Sequence, residues 1–139
     1  MRGLGTSERV IDAPVEQVWD YVSDLEHAVP AFDSLVRRMR VRGRTPLSGG
    51  GERLDVLSWS TGSPVPLPFD VHMEDGLCLM HARGRLFFVG MAAVPEGQGR
   101  TRFRHVEGVP LPGGDLLRSV FRRTARSDLD RLARELGPA

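Results

Sequence analysis

The feature that most constrains this chain lies near its end, in GGDLLRSVFRRTARSDLDRLARELG, residues 113–137. Leu117, Val120, Phe121, Thr124, Leu129, Leu132 and Leu136 recur at helical spacing and form one continuous apolar stripe, while Arg118, Arg122, Arg126, Asp130 and Arg134 fall on the opposite face. Asp115 suits a first turn and Gly137-Pro138 a stop, so one long helix is predicted from about Asp115 to about Leu136. A stripe of that length needs an apolar partner to match, and only a large curved sheet offers one. The preceding residues have to supply that sheet.

They read as strands with one helical interruption. LGTSERVI is a first strand, and Pro14 suits the first helical position, where its missing N–H costs nothing. Val15, Val18, Trp19 and Val22 then mark a short helix with one buried face, ending near Ser23. Asp24 can cap a second short helix that buries Leu25, Ala28, Val29 and Phe32 and is limited by Pro30. From there to about residue 108 the segments LVRRMRVRGR, GERLDVLSWS, FDVHMEDGLCLMHAR, LFFVGMAAV and RTRFRHVEGV give six more strands, for seven in all, mostly antiparallel by their short connections. In the third of these, Asp75-Gly76 is the preferred dipeptide of a two-residue hairpin turn. That turn predicts Met73 opposite Cys78, Val71 opposite Met80 and Phe69 opposite Ala82, with Asp70 facing His81 on the outer side.

Composition narrows the function classes. The formal net charge is +1, from 19 basic and 18 acidic side chains, so nothing global favours nucleic acid or an anionic membrane. Every basic side chain of that count is arginine, and most fall at positions that read as solvent-facing. The single cysteine, Cys78, excludes an internal disulfide and suits a reducing compartment, and no apolar run approaches the ~18 residues of a membrane span. With no apolar leader in MRGLGTSERV, the expectation is a soluble cytoplasmic protein of one domain, residues 1–139, as monomer or homodimer.

The order of strand, two short helices, six strands and long C-terminal helix resembles the START/Bet v 1-like superfamily, which includes the polyketide cyclase/dehydrase proteins. The resemblance rests on IDAPVEQVWDYVSDLEH at the front, GRTRFRHVE as the last strand and the terminal amphipathic helix, and it spans essentially the whole chain. It implies an α+β helix-grip fold: a seven-stranded curved antiparallel sheet around the C-terminal helix, with a cavity between them. The two short helices close one end, and Trp19 is the expected plug.

Expected cavity residues follow from the strand faces. Phe69, Val71 and Met73, with Cys78 and Met80 across the hairpin, make an apolar wall. Phe103 and His105 share an inward face with Thr101 and Glu107, Trp59 is a candidate from the third strand, and Leu117, Val120, Phe121 and Thr124 are candidates from the helix. His105 is the one candidate catalytic group, readable also as a buried, hydrogen-bonded structural histidine. Cys78 lacks a visible activating neighbour and reads as a small hydrophobe. His27, His72, His81 and His105 show neither an HxH nor a helical i, i+4 pair, so no metal and no cofactor is expected, and SGGGE lacks the lysine and helix of a phosphate loop. Some aromatic-ring cyclases of this fold carry hydroxyl or guanidinium groups where this chain has Phe69, Val71 and Met73. The leading expectation is therefore binding of a hydrophobic small molecule, lipid-like or polyketide-like, with no nucleic-acid partner. The alternatives are a cyclase/dehydratase using His105 as general acid/base, and a protein-interaction module using the outer sheet face.

Overall fold

The computed structural model describes residues 2–61, 63–109 and 118–137, and the side chains of 5–61, 63–108 and 123–137 among them. Its strands are β1 (Arg2–Ile11), β2 (Val36–Pro46), β3 (Glu52–Ser60), β4 (Leu67–Glu74), β5 (Leu79–Arg83), β6 (Phe88–Pro95) and β7 (Thr101–Val109). Helices α1 (Val15–Val22) and α2 (Leu25–Phe32) follow β1, and α3 (Arg118–Leu136) follows β7. The strands form one seven-stranded sheet in the order β1-β7-β6-β5-β4-β3-β2, antiparallel throughout. This is the helix-grip arrangement: from β2 onward each strand pairs with the next in sequence, and β7 returns to pair with β1.

Alternation decides which side is concave. On β3 Leu54, Val56 and Ser58 are buried, on β4 Phe69, Val71 and Met73, on β5 Met80 and Ala82, and on β7 Thr101, Phe103, His105 and Glu107. The intervening side chains carry the charge, with Arg42 bound to Asp55 at 2.8 Å and Arg53 to Asp70 at 2.6 Å. Such exposed pairs contribute little each and mainly keep the outer face wet. Trp59 belongs to that outer face: Arg38 stacks over its ring at 4.8 Å from the centroid. Its expected place in the cavity is thereby corrected, because the inward set of β3 is the even-numbered one.

Helix α3 lies over β1, β7 and α2, with Ala125, Asp128, Leu129 and Leu132 buried and Asp130 reaching Arg9 of β1. Helix α1 begins after Pro14, whose carbonyl accepts the Val18 N–H at 3.1 Å, and buries Val18, Trp19 and Val22. Asp24 precedes α2 but does not cap it through its side chain, which binds the His27 ring at 3.0 Å instead.

The β4–β5 connection departs from the expected two-residue turn. Asp75–Leu77 forms a 3₁₀ turn closed by Cys78 in the left-handed region (φ 51°, ψ 48°), so the loop holds four residues. The register accordingly sets Met73 opposite Met80, Val71 opposite Ala82 and His72 opposite His81. Asp70 faces Arg83 and not His81, and Cys78 leaves the wall for the turn. The physical reason is tertiary: β5 is paired with β6 as well as with β4, and the Trp19 indole N–H donates to the Asp75 carboxylate at 2.8 Å, holding the turn against α1. A displacement of two residues leaves each side chain on its expected face. The outward histidines end up stacked, ring centroids 5.0 Å apart.

Candidate functional site: an apolar cavity with a buried acid and histidine cluster

A cavity of about 260 Å³ lies inside the sheet. Its apolar wall comes from Phe69, Val71, Met80, Ala82 and Met91, with Met39 and Val36 from β2 and Leu25, Val29 and Phe32 from α2. Gly84 lets the Phe69 ring settle, since a Cβ there would meet the ring at 2.9 Å. Leu35, Thr61 and Phe87, which are partly or fully exposed, complete the lining on one side.

One patch of that lining is polar. His105 and Glu107 project from β7 at i and i+2, hence on the same face, and Asp33 projects from the residue after α2. One ligating atom from each of the three lies within 4.8 Å of the others. All are buried, His105 to 1% exposure, Asp33 to 5% and Glu107 to 6%. Asp128, fully buried on α3, adjoins Asp33 from behind. Two backbone groups fix the rear of the cluster: Leu35 N–H donates to Asp33 Oδ1 at 2.9 Å and Ser34 N–H to Asp128 Oδ1 at 3.2 Å.

The front is unsatisfied. His105 Nδ1 and Glu107 Oε1 are 3.6 Å apart, too far for a hydrogen bond. Among the described residues, His105 Nδ1, Glu107 Oε2, Asp128 Oδ2 and the Oγ of Ser7, cross-strand from His105, have no hydrogen-bond partner. Burial drives the protonation states apart. It pushes the Glu107 carboxyl up to about 8, aided by the nearby Asp33 and Asp128, and Asp33 up to about 7, aided by Asp128 and opposed by the Leu35 N–H. Burial also raises Asp128 and lowers the His105 imidazole to about 4. At pH 7 the pair on β7 is therefore a neutral imidazole beside a protonated carboxylic acid.

Of the residues expected from the sequence to bind ligand, Phe69, Val71, Met80 and His105 line this cavity. Met73 and Phe103 are buried on the same concave surface but pack into the solid core beyond it. Trp59 is outside and Cys78 is in the turn. Thr124 is half-buried and does not line the cavity, while Leu117 and the side chains of Val120 and Phe121 lie outside the described residues. The described lining thus comes from the sheet, α2 and the loops beside them. Asp33, Asp128 and Glu107 were not singled out from the sequence. The H-x-E spacing on a strand was a legible sign of Glu107, whereas Asp33 and Asp128 are single acids at a helix end and in a helix.

No protein-family model matches the chain, and no curated protein matches it. Solved structures do. The chain is similar to TTHA0849 from Thermus thermophilus, at 22% identity and a TM-score of 0.66 over 96% of each chain. It is similar to the Zhui aromatase/cyclase from Streptomyces sp. R1128, at 12% identity and a TM-score of 0.67 over 96% of this chain and 92% of that one. It also resembles the di-domain aromatase/cyclase BexL of the BE-7585A biosynthetic pathway, at 14% identity and a TM-score of 0.70, over 96% of this chain and 46% of that one. The protein shares the fold of these aromatase/cyclases, the helix-grip arrangement described above. No described helix is long and apolar enough to cross a membrane.

Proposed function

We propose that the protein binds a hydrophobic small molecule, polyketide-like or lipid-like, in the cavity walled by Phe69, Val71, Met80 and Met91. The observation that carries this reading is a cavity lined mainly by apolar side chains, with Asp33, His105 and Glu107 at one patch and the hydroxyls of Ser58, Ser60 and Thr61 on β3 and just after it. Its volume of about 260 Å³ stands near the small end of ligand pockets. Micromolar affinity requires about 8 kcal/mol, which burial of roughly 330 Å² of apolar surface provides at ~25 cal/mol per Å² before the cost of association. The polar patch orients the guest. Native mass spectrometry of protein purified from its own host tests the proposal: a retained apolar molecule is expected, and repeated recovery of empty protein that also fails to take up an apolar dye would defeat it.

A second reading, cyclase-type acid/base catalysis, has one specific observation in its favour, the Glu107 carboxyl 3.6 Å from His105. Two titratable groups pushed apart by their environment are the usual material of an acid and a base. In this reading neutral His105 is the base and Glu107 the acid, which reassigns the acid role from the histidine. His105→Gln separates the two readings. A binding protein keeps its affinity within a few-fold, whereas an enzyme loses roughly 10²–10⁴-fold in turnover with affinity little changed.

A further inference from the structure

We propose that Asp33, His105 and Glu107 form a binding site for one divalent first-row transition-metal ion at the polar end of the cavity. The donor set is one imidazole nitrogen and two carboxylate oxygens, on three side chains whose ligating atoms lie within 4.8 Å of one another. Zinc-type bonds to such atoms are ~2.0–2.2 Å long, so tetrahedral ligands of one ion sit roughly 3.3–3.6 Å apart, and the widest pair of the cluster closes on an ion if each side chain moves by under about 1 Å. The 3.6 Å separation of His105 Nδ1 from Glu107 Oε1 already lies in that range.

An acidic cluster alone would not make the case. The independent observation is that the inner nitrogen of the 1% exposed His105 and an oxygen of the 6% exposed Glu107 have no partner among the described residues. Buried polar atoms in native proteins are almost always satisfied, and these two belong to side chains whose ligating atoms cluster within 4.8 Å together with Asp33. A dication there would displace the proton held on Glu107, and its two charges are matched by the Asp33 and Glu107 carboxylates beside a neutral imidazole. The rear of the cluster is built as metal sites usually are: Leu35 N–H fixes Asp33, and Asp128, itself fixed by Ser34 N–H, backs it. A nitrogen with two oxygens and no thiolate fits Zn²⁺, Co²⁺, Mn²⁺ or Fe²⁺ better than Cu⁺. Three protein ligands leave coordination positions open toward the cavity, as in catalytic sites. Resting on the reading above, those positions suit an apolar guest with a carbonyl, enolate or carboxylate oxygen; the metal site itself does not depend on that guest.

The test uses the full chain, stripped with chelator, with no apolar molecule present. Co²⁺ should give visible ligand-field bands that saturate at one ion per chain, and Zn²⁺ should displace it and raise the melting temperature by mass action. Asp33→Asn and Glu107→Gln, close in shape to the originals, should each weaken Zn²⁺ binding by about 100-fold or more. Thermal melts without metal show whether each variant is folded. The decoy is the exposed pair His72 and His81 on the outer face, so the double variant His72→Ala/His81→Ala should bind as the parent does. No ligand-field bands and no rise in melting temperature at about 100 µM Zn²⁺ would overturn the proposal. So would binding that survives Glu107→Gln and disappears with the outer histidines. Uptake of an apolar dye, measured separately, tells failure of the metal site from failure of the pocket reading.

Discussion

Strands β4 and β7 face the same concave space and alternate with the same period, yet their inward sides are chemically opposed. β4 presents Phe69, Val71 and Met73, an unbroken apolar wall. β7 presents Thr101, Phe103, His105 and Glu107. Thr101 is satisfied by the Ala13 carbonyl at 2.7 Å, and Phe103 packs in the solid core. From His105 onward the strand carries polar atoms that nothing described satisfies. A fold that must seal both ends of a sheet has no structural need for such a patch, and consistency across its other levels makes the exception informative. The apolar wall is satisfied by packing alone, whereas the polar wall holds buried atoms that call for a partner.

The largest expected effect comes from forcing β7 chemistry onto β4. Val71→Arg places an unpaired charge in a position 1% exposed, beside other apolar side chains of the cavity. Burial of such a charge costs several kcal/mol, so we expect loss of roughly 3 kcal/mol or more of stability and no measurable uptake of an apolar ligand. Urea unfolding and calorimetry with a dye read the two effects. Dye affinity equal to that of the parent would mean that this wall is not the binding surface.

The converse change on β7 should have the opposite sign. The Glu107 carboxyl titrates near 8 when folded and near 4.5 when unfolded, and Asp33 near 7 against 3.8. Between those values the folded state holds the extra proton, so each group makes stability fall as pH rises. His105, lowered from 6.5 to about 4, acts the other way, and its contribution is complete above pH 6.5. From pH 7 to 8 Glu107 supplies most of the remaining slope, at most about 1.4 kcal/mol per pH unit, with a smaller share from the tail of the Asp33 titration. With chelator present, Glu107→Gln should flatten that segment and be the more stable protein at pH 8. A parallel fall in both proteins, followed by urea unfolding at the two pH values, would show that another group is responsible.

The contrast between the strands also marks how far the sequence could be read. Leu129 and Leu132 of the α3 stripe, the apolar faces of α1 and α2 and the inward set of β4 were legible because burial writes itself into periodicity. Leu129, Leu132, Val18 and Val71 are buried as their spacing requires. The polar cluster was not legible as a whole. Periodicity places His105 and Glu107 on one face, but nothing local brings Asp33 from the end of α2 or Asp128 from α3 to them; that takes the three-dimensional path of the chain. Trp59 shows the same limit, since β3 alternates in both directions until its neighbours decide the face. The β4–β5 turn is a third case, in which a local preference was overruled by the β5–β6 ladder together with the Trp19–Asp75 contact, 56 positions apart in sequence.

That contact supports the smallest and last prediction. Trp19→Phe keeps the aromatic plug and removes only the indole N–H that holds the Asp75 carboxylate. One part-buried hydrogen bond to a charged acceptor contributes about 1.5–3 kcal/mol, so a loss toward the low end of that range is expected. Asp75-Gly76 would then be free to form the two-residue turn its sequence prefers, shifting Val71 from Ala82 to Met80. We expect the shift not to occur. β5 is paired on both sides, with Met80 opposite Met91 and Ala82 opposite Val89 on β6, so sliding it along β4 would break a second ladder at the same time. The turn amides from Asp75 to Cys78 should exchange faster with solvent while cross-strand nuclear Overhauser contacts still join Val71 to Ala82. Contacts between Val71 and Met80 in the variant would show that Trp19 alone sets the register of the apolar wall, and that the wall is less fixed than the polar strand it faces.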